Sequence, residues 1–137
     1  MDKHQILEFL NSNPEFQLAT VEDNIPHVRT LMLHKADETG IYFMVVKFKD
    51  VYRQLSINPR VELCFHNETL QVRISGMVES LDKDLALKKE ILAARSFLKP
   101  WIDQVGFKHM AVFRLKNGTA TAWSLETETQ PKTYIEL

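Results

Sequence analysis

The sequence predicts a mainly β domain with peripheral helices (α+β), its strands antiparallel and closed into a barrel or stacked as a sandwich. Three observations predict it. Short β-prone stretches recur between turn clusters such as Glu22-Asp23-Asn24-Ile25-Pro26, Asp37-Glu38-Thr39-Gly40 and His66-Asn67-Glu68. Over 70–81, Leu70, Val72, Ile74, Gly76 and Val78 alternate with Gln71, Arg73, Ser75, Met77 and Glu79, the pattern of a long strand with one buried face. Most links between strands are too short for parallel crossovers, which favours antiparallel pairing over a βαβ sheet.

The elements follow in order. Ile6, Leu7 and Leu10 fall at helical spacing, so a short amphipathic helix opens the chain. Asn11-Ser12-Asn13-Pro14 stops it, because the residue before proline disfavours helix. Residues 16–21, 27–34 and 41–46 read as three strands. From 50 to 57 the period changes: Val51, Tyr52 and Leu55 mark a short helix, ended by Asn58-Pro59. Residues 61–65 and 70–81 are strands again. Asp82 is a good N-cap for a helix over 83–95. Pro100-Trp101 reads as a connector, and 110–115 with 119–125 as a last hairpin around Lys116-Asn117-Gly118. The expectation is about seven strands and three helices.

The 137 residues are enough for one domain over 1–137, with no repeat, linker or low-complexity tract. A composition 45% hydrophobic and 26% charged places the chain among soluble globular proteins. With a net charge of −1 there is no basic field to attract nucleic acid. No apolar stretch approaches the roughly 20 residues of a membrane-spanning helix, and Met1-Asp2-Lys3-His4 opens no signal peptide. Cys64 stands alone, which excludes an internal disulfide and fits a reducing cytoplasm. Within Val61-Glu62-Leu63-Cys64-Phe65 it reads as a half-buried strand residue, without an activating neighbourhood.

Several chemistries are disfavoured. The four glycines are scattered, so neither a dinucleotide fingerprint nor a phosphate loop exists. The five histidines show no paired metal spacing, and no metal site is expected. No serine sits in a nucleophile-elbow context. Residue by residue, the reading stops at a β-rich domain suited to an anionic ligand.

The order and spacing of four segments add more. Leu18-Ala19-Thr20-Val21, Pro26-His27-Val28-Arg29, Lys49-Asp50-Val51-Tyr52-Arg53-Gln54-Leu55 with Asn58-Pro59-Arg60-Val61-Glu62-Leu63, and Leu70 through Glu79 together resemble the pyridoxamine 5′-phosphate oxidase-like family. The likeness runs on to Thr119-Ala120-Thr121-Ala122-Trp123-Ser124, and points to the small single-domain branch that includes nitroimidazole-resistance-type proteins. It implies an FMN-binding split β-barrel that forms a homodimer, with the flavin at the subunit interface.

By family position Arg29 partners the FMN phosphate and Thr30, Leu31 and Met32 lie along the isoalloxazine ring. Arg29 interrupts an apolar strand, where an unpaired inward charge would be costly. Lys49 matches a phosphate-binding lysine, just before a short helix whose free N–H groups favour an anion. Arg53, one turn on, is a further cation candidate, as is Arg73. Gln71 matches a glutamine that hydrogen-bonds the ring, and Trp123 an aromatic that reaches the flavin from the second subunit.

One departure stands out. Relatives carry a threonine near Val45 and small polar residues before the lysine, hydroxyls that donate to phosphate. Val45 has no donor, and Lys47 and Phe48 are bulky. Losing one hydrogen bond to a charged acceptor costs about 1.5–3 kcal/mol, which Lys47 is expected to offset with charge. The resemblance implies an FMN-dependent oxidoreductase acting on a small organic acceptor, with His34, Tyr52 and His66 as the acid/base candidates. The alternatives are a non-catalytic flavin or haem carrier or sensor, and a family member that has lost FMN. Pyridoxamine phosphate oxidation itself is disfavoured, since the C-terminal Arg-x-His substrate segment is not recognisable in Gln130-Pro131-Lys132-Thr133-Tyr134-Ile135-Glu136-Leu137.

Overall fold

Six antiparallel strands close on themselves in the computed structural model, which describes residues 1–137. They are β1 (Glu15–Glu22), β2 (Ile25–Asp37), β3 (Gly40–Val46), β4 (Arg60–His66), β5 (Leu70–Ser80) and β6 (Met110–Leu115). The ring runs β1-β2-β3-β6-β5-β4 and shuts through β4 against β1. β7 (Thr119–Ser124) and the two-residue β8 (Ile135–Glu136) extend the sheet beyond β5. Four helices surround it: α1 (Lys3–Ser12), α2 (Asp50–Ile57), α3 (Leu85–Ala94) and α4 (Lys99–Val105).

Alternation builds the barrel core. Phe16, Leu18 and Thr20 point inward from β1, Leu63 and Phe65 from β4, and Val72, Ile74 and Val78 from β5. Phe16 sits at the centre, stacked on Phe65 and edge-on to Phe43. β3 is buried on both faces, which explains its unbroken apolar run. Ile41, Phe43 and Val45 face the barrel core, while Tyr42 and Met44 pack beneath α3 and α4 with Leu87, Ile91 and Ile102. α1 lays Ile6, Leu7 and Leu10 over the barrel, held at its start by a capping box between Asp2 and Gln5.

Three expectations change. The cap of α3 is Asp84, whose carboxylate accepts the Leu87 N–H at 3.0 Å; Asp82 instead binds the ammonium groups of Lys47 and Lys88. The Pro100-Trp101 connector is helical, because proline suits the first turn of α4, where its missing N–H costs nothing. β6 and β7 do not pair as a hairpin. Both run in the same direction along one edge of β5, β6 beside Val78–Ser80 and β7 beside Leu70–Ser75, and the register slips by one residue at 116–118. Gly118 permits the close approach at that slip, since a Cβ there would lie 2.8 Å from Ile74 and 2.5 Å from Leu115.

Asp84→Ala should lower stability by about 1 kcal/mol through loss of the cap, read as a shifted urea midpoint with unchanged slope. An unchanged midpoint would remove Asp84 from that role.

Candidate functional site

The barrel is split along one seam. β2 pairs with β1 over Ile25–Met32 and with β3 only from Leu33 onward, with an irregularity at His34. β3 meanwhile runs on to Val46 against β6. The far edge of residues 25–32 therefore has no partner strand, and its backbone N–H and C=O groups face a groove of about 670 Å³. That volume lies within the range of small-molecule sites. Thr30, Leu31 and Met32 form its floor, the last turn of β3 and the start of α2 one wall, and Arg95, Phe97 and Leu98 the other.

Six of the eight residues expected at the site line this groove: Arg29, Thr30, Leu31, Met32, Val45 and Lys49. Val45 contributes backbone, because its side chain is buried in the barrel core. Lys49 precedes the first turn of α2, which no side chain caps, and its ammonium has no acidic partner. Arg29 reaches inward under α2. Its Nη1 donates to the Leu18 carbonyl at 3.2 Å and to Thr20 Oγ1 at 2.8 Å, and its Nη2 donates to Gln54 Oε1. Burial pulls this guanidinium below its ordinary pKa, opposed by the nearby Asp50 charge.

Gln71 and Trp123 lie elsewhere. They are register partners on β5 and β7, facing outward. From β2 the sheet passes through β1 and β4 to reach them, three and four strand spacings, or about 14 and 19 Å along the wall. A single chain does not bring the two halves together.

Most other candidates are committed to structural contacts. Lys47 donates to Asp82 at 2.8 Å and faces the Tyr52 ring, so it does not replace the missing hydroxyls. Arg53 forms a two-pronged pair with Glu22 at 2.8 and 2.9 Å, which holds that carboxylate below its ordinary pKa. Arg73 sits 3.5 Å from Glu62. His34 is hydrogen-bonded to Glu90 on α3, Tyr52 packs against the core near Phe113, and His66 is exposed at the end of β4. Burial pushes the Cys64 thiol up, as expected of an unactivated cysteine.

The structure adds Arg95. It lines the groove over the Phe97 ring, is pulled below its ordinary pKa by burial, and makes no ion pair. Its signal in the sequence was the one that marked Arg29, a lone arginine inside an apolar run. Arg29, Lys49 and Arg95 outnumber Glu15 and Asp50 in the groove, giving an excess of one positive charge with His27 neutral.

Comparison with known proteins places this geometry. The sequence pattern described as pyridoxamine 5′-phosphate oxidase matches residues 2–124. The chain belongs to the pyridoxamine 5′-phosphate oxidase family. It is 39% identical over 72 residues to a pyridoxine/pyridoxamine 5′-phosphate oxidase of Bradyrhizobium sp. and 32% identical over 80 residues to that of Pelagibacter ubique. Those matches cover 50% and 56% of this chain but 33% and 38% of the relatives, so it spans about a third of their length. A NimC/NimA family protein from Clostridium acetobutylicum superposes with a TM-score of 0.80 at 26% identity, covering 98% of this chain and 92% of that one. A pyridoxamine 5′-phosphate oxidase-related, FMN-binding protein of Nostoc punctiforme shares the fold at a TM-score of 0.65 and 18% identity, covering 98% and 95%. The split barrel is thus the fold of the pyridoxamine 5′-phosphate oxidase family, as the sequence implied.

Asp82 anchors the Lys47 side of this seam and gives a pH prediction. Burial opposes its ionisation, but hydrogen bonds from Lys47 and Lys88 outweigh that and hold the carboxyl below its ordinary range. A folded-state pKa below the unfolded one stabilises the fold above the unfolded value, about 3.9, and that stability is lost as pH falls through the folded pKa. Asp82→Asn should therefore flatten the acid limb of the stability curve below about pH 4. An acid limb identical to the parent's would show that Asp82 carries no linkage.

Proposed function

We propose that this protein is an FMN-dependent oxidoreductase that holds the flavin between two copies of the chain. The observation that carries the reading is the groove itself: an unpaired strand edge on the floor, unpaired cations on the walls and an apolar surround. The residues suit the cofactor. Lys49 and Arg29 flank the start of α2, where a phosphate gains from charge and free N–H groups together. The open edge of Thr30–Met32 offers donors and acceptors to the polar rim of a flat ring. Bound there, the flavin supplies the redox chemistry, accepting and passing on hydride or electrons.

The second half of the site comes from a partner copy in this reading. Val21, Val28, Met32, Met77 and Trp123 are exposed on the outer face of the β2-β1-β4-β5-β7 sheet, Val28 at 68% and Trp123 at 42%. Such an apolar face suits an isologous contact with itself. That contact would carry Gln71 and Trp123 to the groove of the other copy, which their own groove cannot receive. Electrons then pass to a small organic acceptor, for which the Arg95 wall leaves room.

Incubation with FMN followed by gel filtration tests the reading. Flavin absorbance should co-elute with protein at the mass of a dimer, and a nicotinamide donor should bleach it. Protein that elutes colourless would overturn FMN binding, and bound flavin that no donor reduces would point to a carrier instead. Lys49→Ala should weaken FMN about tenfold, the worth of one charged hydrogen bond, with riboflavin little changed. Trp123→Ala should weaken both ligands without unfolding the chain, and unchanged affinities would remove Trp123 from the site.

A further inference from the structure

We infer that Thr20 and Gln54 are positioning residues that lock the Arg29 guanidinium, so that one of its edges is presented to the groove as a fixed double donor for the flavin's phosphate. The inference rests on the FMN reading and adds to it the device that separates FMN from riboflavin.

Both residues are 1% exposed, and both are polar where an apolar side chain would serve the packing. Thr20 takes an inward position of β1, in step with Phe16 and Leu18. Gln54 takes an apolar-face position of α2, between Val51 and Leu55. Buried polar groups of this kind are retained only where hydrogen bonds satisfy them. Here they close a ring. Arg29 Nη1 donates to Thr20 Oγ1, the Thr20 hydroxyl donates to Gln54 Oε1 at 2.6 Å, and Arg29 Nη2 donates to the same Gln54 oxygen. The amide orientation is forced, because both neighbours are donors there. Gln54 Nε2 is left approaching Glu22, adding to the pull on that carboxylate without closing a hydrogen bond of its own.

The geometry assigns the donors of Arg29 one by one. A guanidinium has five N–H groups. Nη1 spends both, on Leu18 and Thr20, and Nη2 spends one on Gln54. Because Thr20 Oγ1 and Gln54 Oε1 touch each other, they occupy the end of the fork between Nη1 and Nη2. The Nε–H and the second Nη2 hydrogen remain, side by side and parallel. Neither Nε nor any other Arg29 nitrogen is a buried atom lacking a partner, a condition found only at Gln54 Nε2. Nε is therefore accessible, and we take the groove that Arg29 lines as the space onto which this edge opens. Two parallel N–H groups match two oxygens of a phosphate, and they act best when rotation about the side chain has already been frozen. Riboflavin, which lacks the phosphate, gains nothing from this edge.

The test is Thr20→Val, which keeps the shape and removes the hydroxyl, against Thr20→Ser, which keeps the hydroxyl. Thr20→Val should raise the FMN Kd about tenfold and the riboflavin Kd less than about twofold, with Thr20→Ser restoring FMN binding. Gln54→Met should act in the same direction, and it is tolerated by the fold because it also deletes the unpaired Nε2. In the ligand-free protein, nitrogen-resolved NMR should show distinct Arg29 Nη signals in the parent and in Thr20→Ser, merging in Thr20→Val as the guanidinium turns freely. Equal losses for both flavins, or Nη signals that stay distinct in Thr20→Val, would overturn the role. A parent protein that binds neither flavin would overturn the FMN reading first, and this one with it.

Discussion

The rest of the structure depends on one constraint: β2 is longer than either neighbour can pair. Its 13 residues are shared, the first eight with β1 and the last few with β3, and the irregularity at His34 is where the strand changes partner. The Leu33 N–H bonds to the Pro14 carbonyl at that point, so the handover is satisfied rather than strained. β3 cannot follow β2 further. Its outer face is claimed by α3 and α4 and its other edge by β6, burial that outweighs a few more ladder bonds. An unpaired strand edge normally invites another chain. Here α2, Lys49 and the turn carrying Arg95 cover the edge and convert it into a groove.

Charge placement follows the same division. Several cations outside the groove are paired within the fold: Lys47 and Lys88 on Asp82, Arg53 on Glu22, Lys35 on Glu90, Arg114 on Glu79. Lys88 is almost wholly buried, a state that an ammonium tolerates only when paired. Arg95 differs from these: it is half-buried in the groove and makes no ion pair. A partly desolvated guanidinium without a counter-charge gains from any anion placed beside it, which is the electrostatic ground for the phosphate site we propose.

Much of this was legible in the sequence. Strand β5 declared itself by alternation over 70–81, and α2 by the shift of period at 50 and the stop at Asn58-Pro59. Arg29 declared itself as a charge in an apolar strand. What was not legible depended on partners distant in sequence. Asp82 and Asp84 are equally good caps on paper; only the fold brings Lys47 and Lys88 to one of them. The hairpin around Lys116-Asn117-Gly118 failed because turn chemistry fixes a reversal locally, whereas pairing was decided by β5, which accepts β6 and β7 on successive stretches of one edge. Gln54 was hidden for a similar reason. An amide on the apolar face of a short helix has meaning only once Thr20 and Arg29 are seen beneath it.

The separation of the groove from Gln71 and Trp123 is the step with most consequence. If both halves were meant for one chain, some element would have to fold across β1 and β4, and their outer surface is bare. Ala19, Gln17, Cys64 and Glu62 stand there in register with no helix above them. The two apolar clusters lie inside the barrel and beneath α3 and α4, so this face is the large one that the chain leaves without a layer of its own. A sheet with one uncovered, partly apolar face reaches its lowest free energy against a matching surface. In the dimer we propose, a second copy would offer the same residues, related by a twofold rotation. The handover in β2 therefore shapes more than the groove: with α2, α3 and α4 gathered at the seam, the adjoining outer face of β1 and β4 is left uncovered, the face on which the proposed second copy would pack.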